Sequence, residues 1–322
     1  MKQRTVDFNK IIALLISHAF QHLNSGKTRE LFSIPLYDDL LLILATDRIS
    51  IFDIKLPMLV ARKGEVLTAL TVMWLTKVLP NIESHLVAYG SEIDHYLPKE
   101  LWNNTTLQKC CIVVRKTEVF PIEAIVRGRI TGSYWEEYKK GKREICGFSF
   151  PDGLKDGSLL PEPIFTPSTK AEKDENISYE EMEKITSKNV ACIVKGKSLS
   201  IFQKASHFAI LAGIIIADSK FEFGRLPNGK IILIDEVITP DSSRLWLKKE
   251  LEKAMQENRR PPSLDKQPVR DIGKALGIKE NPDVQIPQEV FDKTTLRYIN
   301  CFQALNKKPI ELFQQEDMGI AT

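Results

Sequence analysis

Residues 217–246 read ADSKFEFGRLPNGKIILIDEVITPDSSRLW, and the fold turns on how this stretch is read. Two apolar, strand-like runs flank Asn228-Gly229, the dipeptide that most strongly signals a hairpin because both residues tolerate positive φ. A two-residue turn pairs Pro227 with Lys230, and counting outward sets Glu222 directly opposite Asp235. Directly opposed side chains share a face, roughly 4.5–5.5 Å apart at Cβ. Two carboxylates at that spacing repel unless a positive charge joins them. A hard divalent cation such as Mg²⁺, held by one or two carboxylates and by substrate phosphates, supplies it. The competing reading is a surface hairpin whose acids point into water. Three features weigh against that reading. Residues 231–234 are apolar on both faces, as in a buried strand. Lys220 alternates onto the face of Glu222. Thr239-Pro240-Asp241-Ser242-Ser243-Arg244 follows at once as a polar turn.

The 322 residues allow two domains or one large one, and 43% hydrophobic content is that of a globular chain with a core. A net charge of +3 carries no basic stripe, so no nucleic-acid partner is expected. The five cysteines show no C-x-x-C spacing, which argues against a zinc site or a disulfide framework and fits a cytoplasmic protein with reduced thiols. Residues 11–16 are apolar, but Asp7 precedes them and no small-residue cleavage site follows. Phe8, Ile11, Ile12, Leu15, Ala19 and Leu23 trace a helical face instead. No stretch approaches the roughly 18 apolar residues of a membrane span, so no membrane partner is expected.

Several further stretches predict structure. Gly26-Lys27 reads as a hairpin turn and is not a P-loop. Residues 40–45 form a buried strand ending in polar residues that include Asp47, and residues 64–79 a helix with Trp74 in the core. Strands are expected at 111–114 and 119–126. Arg127-Gly128-Arg129 then leads to Ser133 and Glu136, spaced as a capping box. A helix start behind two arginines suits an anion, although a plain cap with surface salt bridges explains the same residues. Residues 148–176, rich in Pro, Gly, Ser and Asp, predict a lid or binding loop and a candidate lobe boundary. Ser178 and Glu181 form a second capping box, residues 245–255 an amphipathic helix, and Pro287 opens a last long helix. Acids for a metal and cations for phosphates fit ATP chemistry. They leave open a kinase, a ligase or a nucleotide-regulated binding module.

The segments together resemble the SAICAR synthetase (phosphoribosylaminoimidazole-succinocarboxamide synthase) family, longer-chain branch. The resemblance rests on GKTR at 26–29, ATDRISIFD at 45–53, IVRGRITGS at 125–133, LPEPIFTPSTKAE at 160–172, DENIS at 174–178, IIIADSKFEFG at 214–224, residues 235–246, and DKQPVRD at 265–271. It implies an α+β fold of two lobes, an antiparallel-sheet nucleotide lobe (1–120) and a larger mixed α/β lobe (121–322), with an ATP cleft between them. The implied enzyme is an ATP- and Mg²⁺-dependent ligase of purine biosynthesis. It joins carboxyaminoimidazole ribonucleotide (CAIR) and L-aspartate through an acyl phosphate, as a monomer or small homo-oligomer.

Carried onto this sequence, the resemblance makes Glu222 and Asp235 metal ligands. It places Arg127, Ser133 and Arg244 on the ribonucleotide phosphate and Asp241 on the ribose or base. Lys220 stabilises the reacting carboxylate, and Asp218 and Asp47 act as orienting groups or a base. Gly26, Lys27 and Arg29 lie by the ATP phosphates, and the Arg115 to Val119 segment, with Lys116 and Val119, beside adenine. The chain departs from the family in a shorter 171–175 loop and in Thr28 and Glu30, where Val and Asp are common.

Overall fold

The computed structural model describes residues 6–52, 54–170, 175–281 and 283–321. The chain is α+β and divides into two compact units. One takes the described residues of Met1–Met73, His85–Lys116 and Lys266–Thr322, the other those of Trp74–Ser84 and Thr117–Asp265. A single cut near residue 120 therefore follows only one of the crossings. The helix Gln288–Asn306 shows why. Its Val290 and Phe291 share a buried apolar cluster with Ile49, Ile51, Leu56 and Val60. Apolar faces distant in sequence chose each other, and local pattern does not register that choice.

The first unit holds a five-stranded antiparallel sheet ordered His22–Ser25, Arg29–Ile34, Tyr37–Ala45, Cys111–Arg115, Leu86–Tyr89. Phe32, Ile34, Leu42, Leu44 and Val113 are buried from it into one cluster with Phe8, Leu15 and Phe20. The first helix, expected to reach Leu23, spans Phe8–Ser17. Ala19 takes φ +65°, and the chain turns into a strand that pairs His22 with Phe32, leaving Leu23 exposed.

The second unit is built on the twelve-residue strand Ile214–Arg225. The sheet runs Leu159–Phe165, Ile122–Arg129, Ile214–Arg225, Ile231–Ile234. Ser243–Leu247 and Glu118–Val119 also pair with the long strand, and Ser168–Thr169 pairs with Ile122–Arg129. The helix Lys188–Leu211 packs on the long strand and buries Val190, Val194, Ile201, Phe202 and Ala205. Trp74 is fully buried as expected, and its indole N–H donates to the Ile238 carbonyl at 3.0 Å. The Ser178–Glu181 capping box forms.

Three expectations change here. The 148–176 stretch is not one loop. It contains the strands Leu159–Phe165 and Ser168–Thr169 and stays within the second unit. Leu159–Phe165 ends the sheet order, where Pro161 and Pro163 are tolerated because an edge strand leaves N–H positions unpaired. The expected 245–255 helix begins only at Lys248, because Ser243–Leu247 is a strand against Ile214–Arg225.

The central hairpin also differs by one residue. Leu226 N donates to the Lys230 carbonyl at 2.9 Å and Gly229 N to the Leu226 carbonyl at 2.8 Å, so the loop is Pro227-Asn228-Gly229. A two-residue loop would require an N–H from Pro227 in its closing pair, and proline has none. Proline instead fits the second position of a type I turn, followed by Gly229 at φ +85°. The register then pairs Glu222 with Ile234, not with Asp235. Asp235 sits just past the strand end at φ +61°. Gly229→Ala is expected to lower stability by about 1 kcal/mol, since the left-handed conformation penalises a Cβ. Chemical denaturation measures it, and an unchanged midpoint would contradict this turn.

Candidate active site

Asp218, Lys220 and Glu222 occupy alternate positions of Ile214–Arg225 and share one face of the sheet. The flanking register sets Arg127 beside Asp218 on one side and Arg244 beside it on the other. Asp218 Oδ2 accepts Arg127 Nη1 at 3.0 Å and also Arg244 Nη1. Arg127 further donates from Nε to Thr166 Oγ1 at 3.0 Å and from Nη2 to Ser133 Oγ at 3.4 Å, and its guanidinium lies 4.4 Å from the Tyr134 ring centroid. Asp218 and Arg127 are both buried. Two guanidiniums thus share one carboxylate oxygen.

Burial pulls Arg127 below its ordinary value against the opposing charge of Asp218, and the like charge of Arg244 adds to the fall. Burial also works against Arg244, but Asp218, Asp265 and Asp156 outweigh it and its value rises. The Arg244 Nε is buried with no hydrogen-bond partner among the described residues. A Cβ on Gly132, at φ +59°, would come within 2.5 Å of the Arg244 guanidinium, so glycine lets the start of the helix Gly132–Lys139 approach it. The capping box expected at Ser133 does not form. The N-cap is Thr131, and the Ser133 hydroxyl faces Arg127 instead. An anion with several oxygens suits this corner. Asp241 sits in the turn before Arg244, its backbone N donating to Thr239 Oγ1 at 3.2 Å.

Further along the same face, burial pushes Glu222 above its ordinary value and the Asp235 carboxylate pushes it further, while Lys170 and Lys220 pull it back. The two acids therefore act on each other despite the shifted register. Lys170 Nζ donates to Glu222 Oε2, and Lys220 Nζ to Glu123 Oε1, which also receives the Ser168 hydroxyl on its other oxygen at 3.2 Å. Sequence reasoning missed Glu123 and Lys170 as site residues. The available signal was an acid inside an otherwise apolar strand. No group of three or more His, Cys, Asp or Glu suited to a metal occurs among the described residues. Residues 171–174 of the shortened loop lie outside the described residues. Its two ends are joined, since Thr169 N donates to the Glu175 carbonyl at 3.0 Å.

In the first unit, Gly26 N donates to the Arg29 carbonyl at 2.8 Å, closing the expected hairpin turn with Lys27 exposed at its tip. Glu30, the family departure, is buried. It accepts His22 Nε2 at 2.7 Å, Ser25 Oγ at 3.0 Å and Arg48 Nη1. Arg48 also reaches the Gly26 carbonyl at 3.3 Å and the Arg29 carbonyl at 3.4 Å, so the turn is braced from below. Lys116 has an exposed side chain and donates its backbone N to the Asp39 carbonyl at 2.8 Å. In the second unit, Val119 is exposed and pairs with Gly224. Asp47 is buried, its oxygens accepting Gly64 N at 3.0 Å and Arg62 N at 3.2 Å at the start of the helix Lys63–Met73.

With this geometry in view, a sequence profile described as SAICAR synthetase matches residues 22–286. The phosphoribosylaminoimidazole-succinocarboxamide synthase of Thermodesulfovibrio yellowstonii is 44% identical over 291 residues, 88% of this chain and 94% of that one. The one from Schizosaccharomyces pombe is 38% identical over 292 residues, covering 90% and 95%. A solved SAICAR synthase from Saccharomyces cerevisiae, complexed with SAICAR, superposes with a TM-score of 0.78 at 35% identity, covering 90% and 96%. The class is therefore an enzyme, an ATP-dependent carboxylate–amine ligase of α+β fold. The chain belongs to the SAICAR synthetase family, whose activity joins carboxyaminoimidazole ribonucleotide and L-aspartate to give SAICAR in purine biosynthesis. Among the described residues no helix is long and apolar enough to cross a membrane, and no cysteine is disulfide-bonded.

Burial pushes Asp47 up from 3.8 to about 6, against the lowering effect of the two backbone N–H groups. Above pH 6 the carboxyl is ionised in folded and unfolded chains alike. Between 3.8 and 6 the folded chain holds the proton and the unfolded chain does not. The group therefore adds stability as pH falls through that window, and the gain is lost again as pH rises past 6. Relative to Asp47→Asn, the wild type is expected to gain roughly 2 kcal/mol between pH 7 and pH 4. Unfolding at stepped pH checks this, and parallel curves would contradict it.

Proposed function

We propose that the face carrying Asp218, Lys220 and Glu222 performs the ligation, with the parts in the order the strand presents them. The observation that carries this reading is the row itself. Asp218, which gathers an arginine from each neighbouring strand, then Lys220, then Glu222 follow one another at two-residue spacing on one strand. Arg127, Ser133 and Arg244 hold the ribonucleotide 5′-phosphate, and Asp241 takes a hydroxyl or the base. Asp218 orients both arginines.

A carboxylate is a poor acyl donor, since its leaving group would be oxide. Transfer of a phosphoryl group from ATP onto a carboxylate oxygen releases ADP and leaves an acyl phosphate. The aspartate amine attacks the acyl carbon, the C–O bond to phosphate breaks, the amine proton passes to a base, and an amide remains. Lys220, held by Glu123, sets an ammonium against the charge that develops on the reacting carboxylate and departing phosphate. Asp47 orients from its place at a helix start, or serves as base. For the nucleotide we put forward Gly26, Lys27, Arg29 and Lys116 of the first unit and Val119 of the second.

Glu222 and Asp235 would hold Mg²⁺. Hard carboxylate oxygens are its ligands of choice, and each acid is unfavourable beside the other without a cation. When bound, the ion supplies charge neutralisation for the phosphates. Small molecules are the partners, without nucleic acid. A monomer or small homo-oligomer and a cytoplasmic setting complete the reading.

The test combines the protein with ATP, Mg²⁺, L-aspartate and the carboxylated imidazole ribonucleotide. With aspartate present, ADP and amide are expected in equal amounts over many turnovers, and without it no amide. ADP release without amide when aspartate is present, or a stable phosphorylated acceptor that aspartate does not consume, would favour a kinase and overturn the proposal.

A further inference from the structure

Lys170 is placed differently from the other lysine of the site. Lys220 has its own counter-ion in buried Glu123. Lys170 reaches past that pair to Glu222. Its backbone is fixed, since Lys170 N donates to the Pro121 carbonyl at 3.1 Å directly after Ser168 and Thr169 pair with Glu123 and Ile122. The side chain is not enclosed. It is 40% exposed, against 14% for Glu222. A tethered ammonium thus reaches one of two mutually repelling carboxylates, with solvent on its other side.

We propose that Lys170 is a built-in stand-in for the divalent ion. Its ammonium neutralises Glu222 while no metal is bound and must leave that carboxylate when one arrives. The inference rests on the reading of Glu222 and Asp235 as metal ligands and deepens it. Two cations on the same carboxylate oxygen repel at short range, so lysine and metal compete for Glu222. The competition has a direction. The lysine lowers the apparent metal affinity of the empty enzyme and shields an acid pair that would otherwise disfavour folding. The exposed stem gives the displaced ammonium a route into water. Each oxygen of Glu222 still has lone pairs to offer, but the charge of the pair is what binds a hard cation, and Lys170 cancels part of it.

Calorimetric titration of the nucleotide-free enzyme with Mg²⁺, repeated with Mn²⁺ by electron paramagnetic resonance, reads this without turnover. Lys170→Met is expected to bind either ion about tenfold more tightly than wild type. Lys170→Arg, which keeps the charge, is expected to stay near wild type, and Glu222→Gln to lose the site. Circular dichroism and the melting temperature confirm that each variant is folded. If Glu222→Gln abolishes binding while Lys170→Met binds equally or more weakly than wild type, the competition is overturned and the metal site stands. If Glu222→Gln binds like wild type, or neither wild type nor Lys170→Met binds, the metal reading fails and this proposal with it.

Discussion

One buried carboxylate, Asp218, holds two guanidiniums that arrive from different strands. That is the constraint the site is built around. An arginine as buried as Arg127 is unfavourable without an anion. Asp218 supplies that anion, and Arg244 then draws on the same oxygen. Arg244 also faces the charges of Asp265 and Asp156, but its buried Nε has no hydrogen-bond partner among the described residues, which leaves a donor in this corner for a further anion. The strands Ile122–Arg129 and Ser243–Leu247 must flank Ile214–Arg225 in their observed registers for this to happen. A slip of one residue in either would send its arginine to the opposite face.

The other end of the same strand is organised by repulsion. Glu222 and Asp235 act on each other across the hairpin, and Lys170 and Lys220 offset part of that charge. Between the two ends, Lys220 is held by Glu123, which the Ser168 hydroxyl also engages. The face therefore presents guanidinium donors at one end and a carboxylate pair at the other.

Much of this was legible in the residues. Period-two alternation placed Lys220 and Glu222 on one face, and the apolar run at Ile231–Ile234 is a buried strand. The hairpin was legible but its register was not, because the count hinged on whether Pro227 pairs or turns. Its missing N–H decides that. Ser133 read as a cap because spacing alone cannot show that a buried guanidinium competes for its hydroxyl. The pairing of Arg48 with Glu30 escaped notice for a similar reason, since they meet only when the hairpin and the strand end after Ala45 come together. The grouping of Lys266–Thr322 with the first unit was hidden for the same kind of cause. Helical periodicity marks an apolar face without naming what it packs against.

The most direct test of the account separates the phosphate from the rest of the substrate. Binding of the imidazole ribonucleotide and of its dephosphorylated nucleoside would be measured by calorimetry in wild type and in Arg244→Met. The account predicts that the variant loses roughly a hundredfold in affinity for the nucleotide, the worth of one charge-assisted contact, while nucleoside binding stays at the wild-type level. An equal loss for both, or no loss for the nucleotide, would show that the paired guanidiniums serve the fold and not the phosphate.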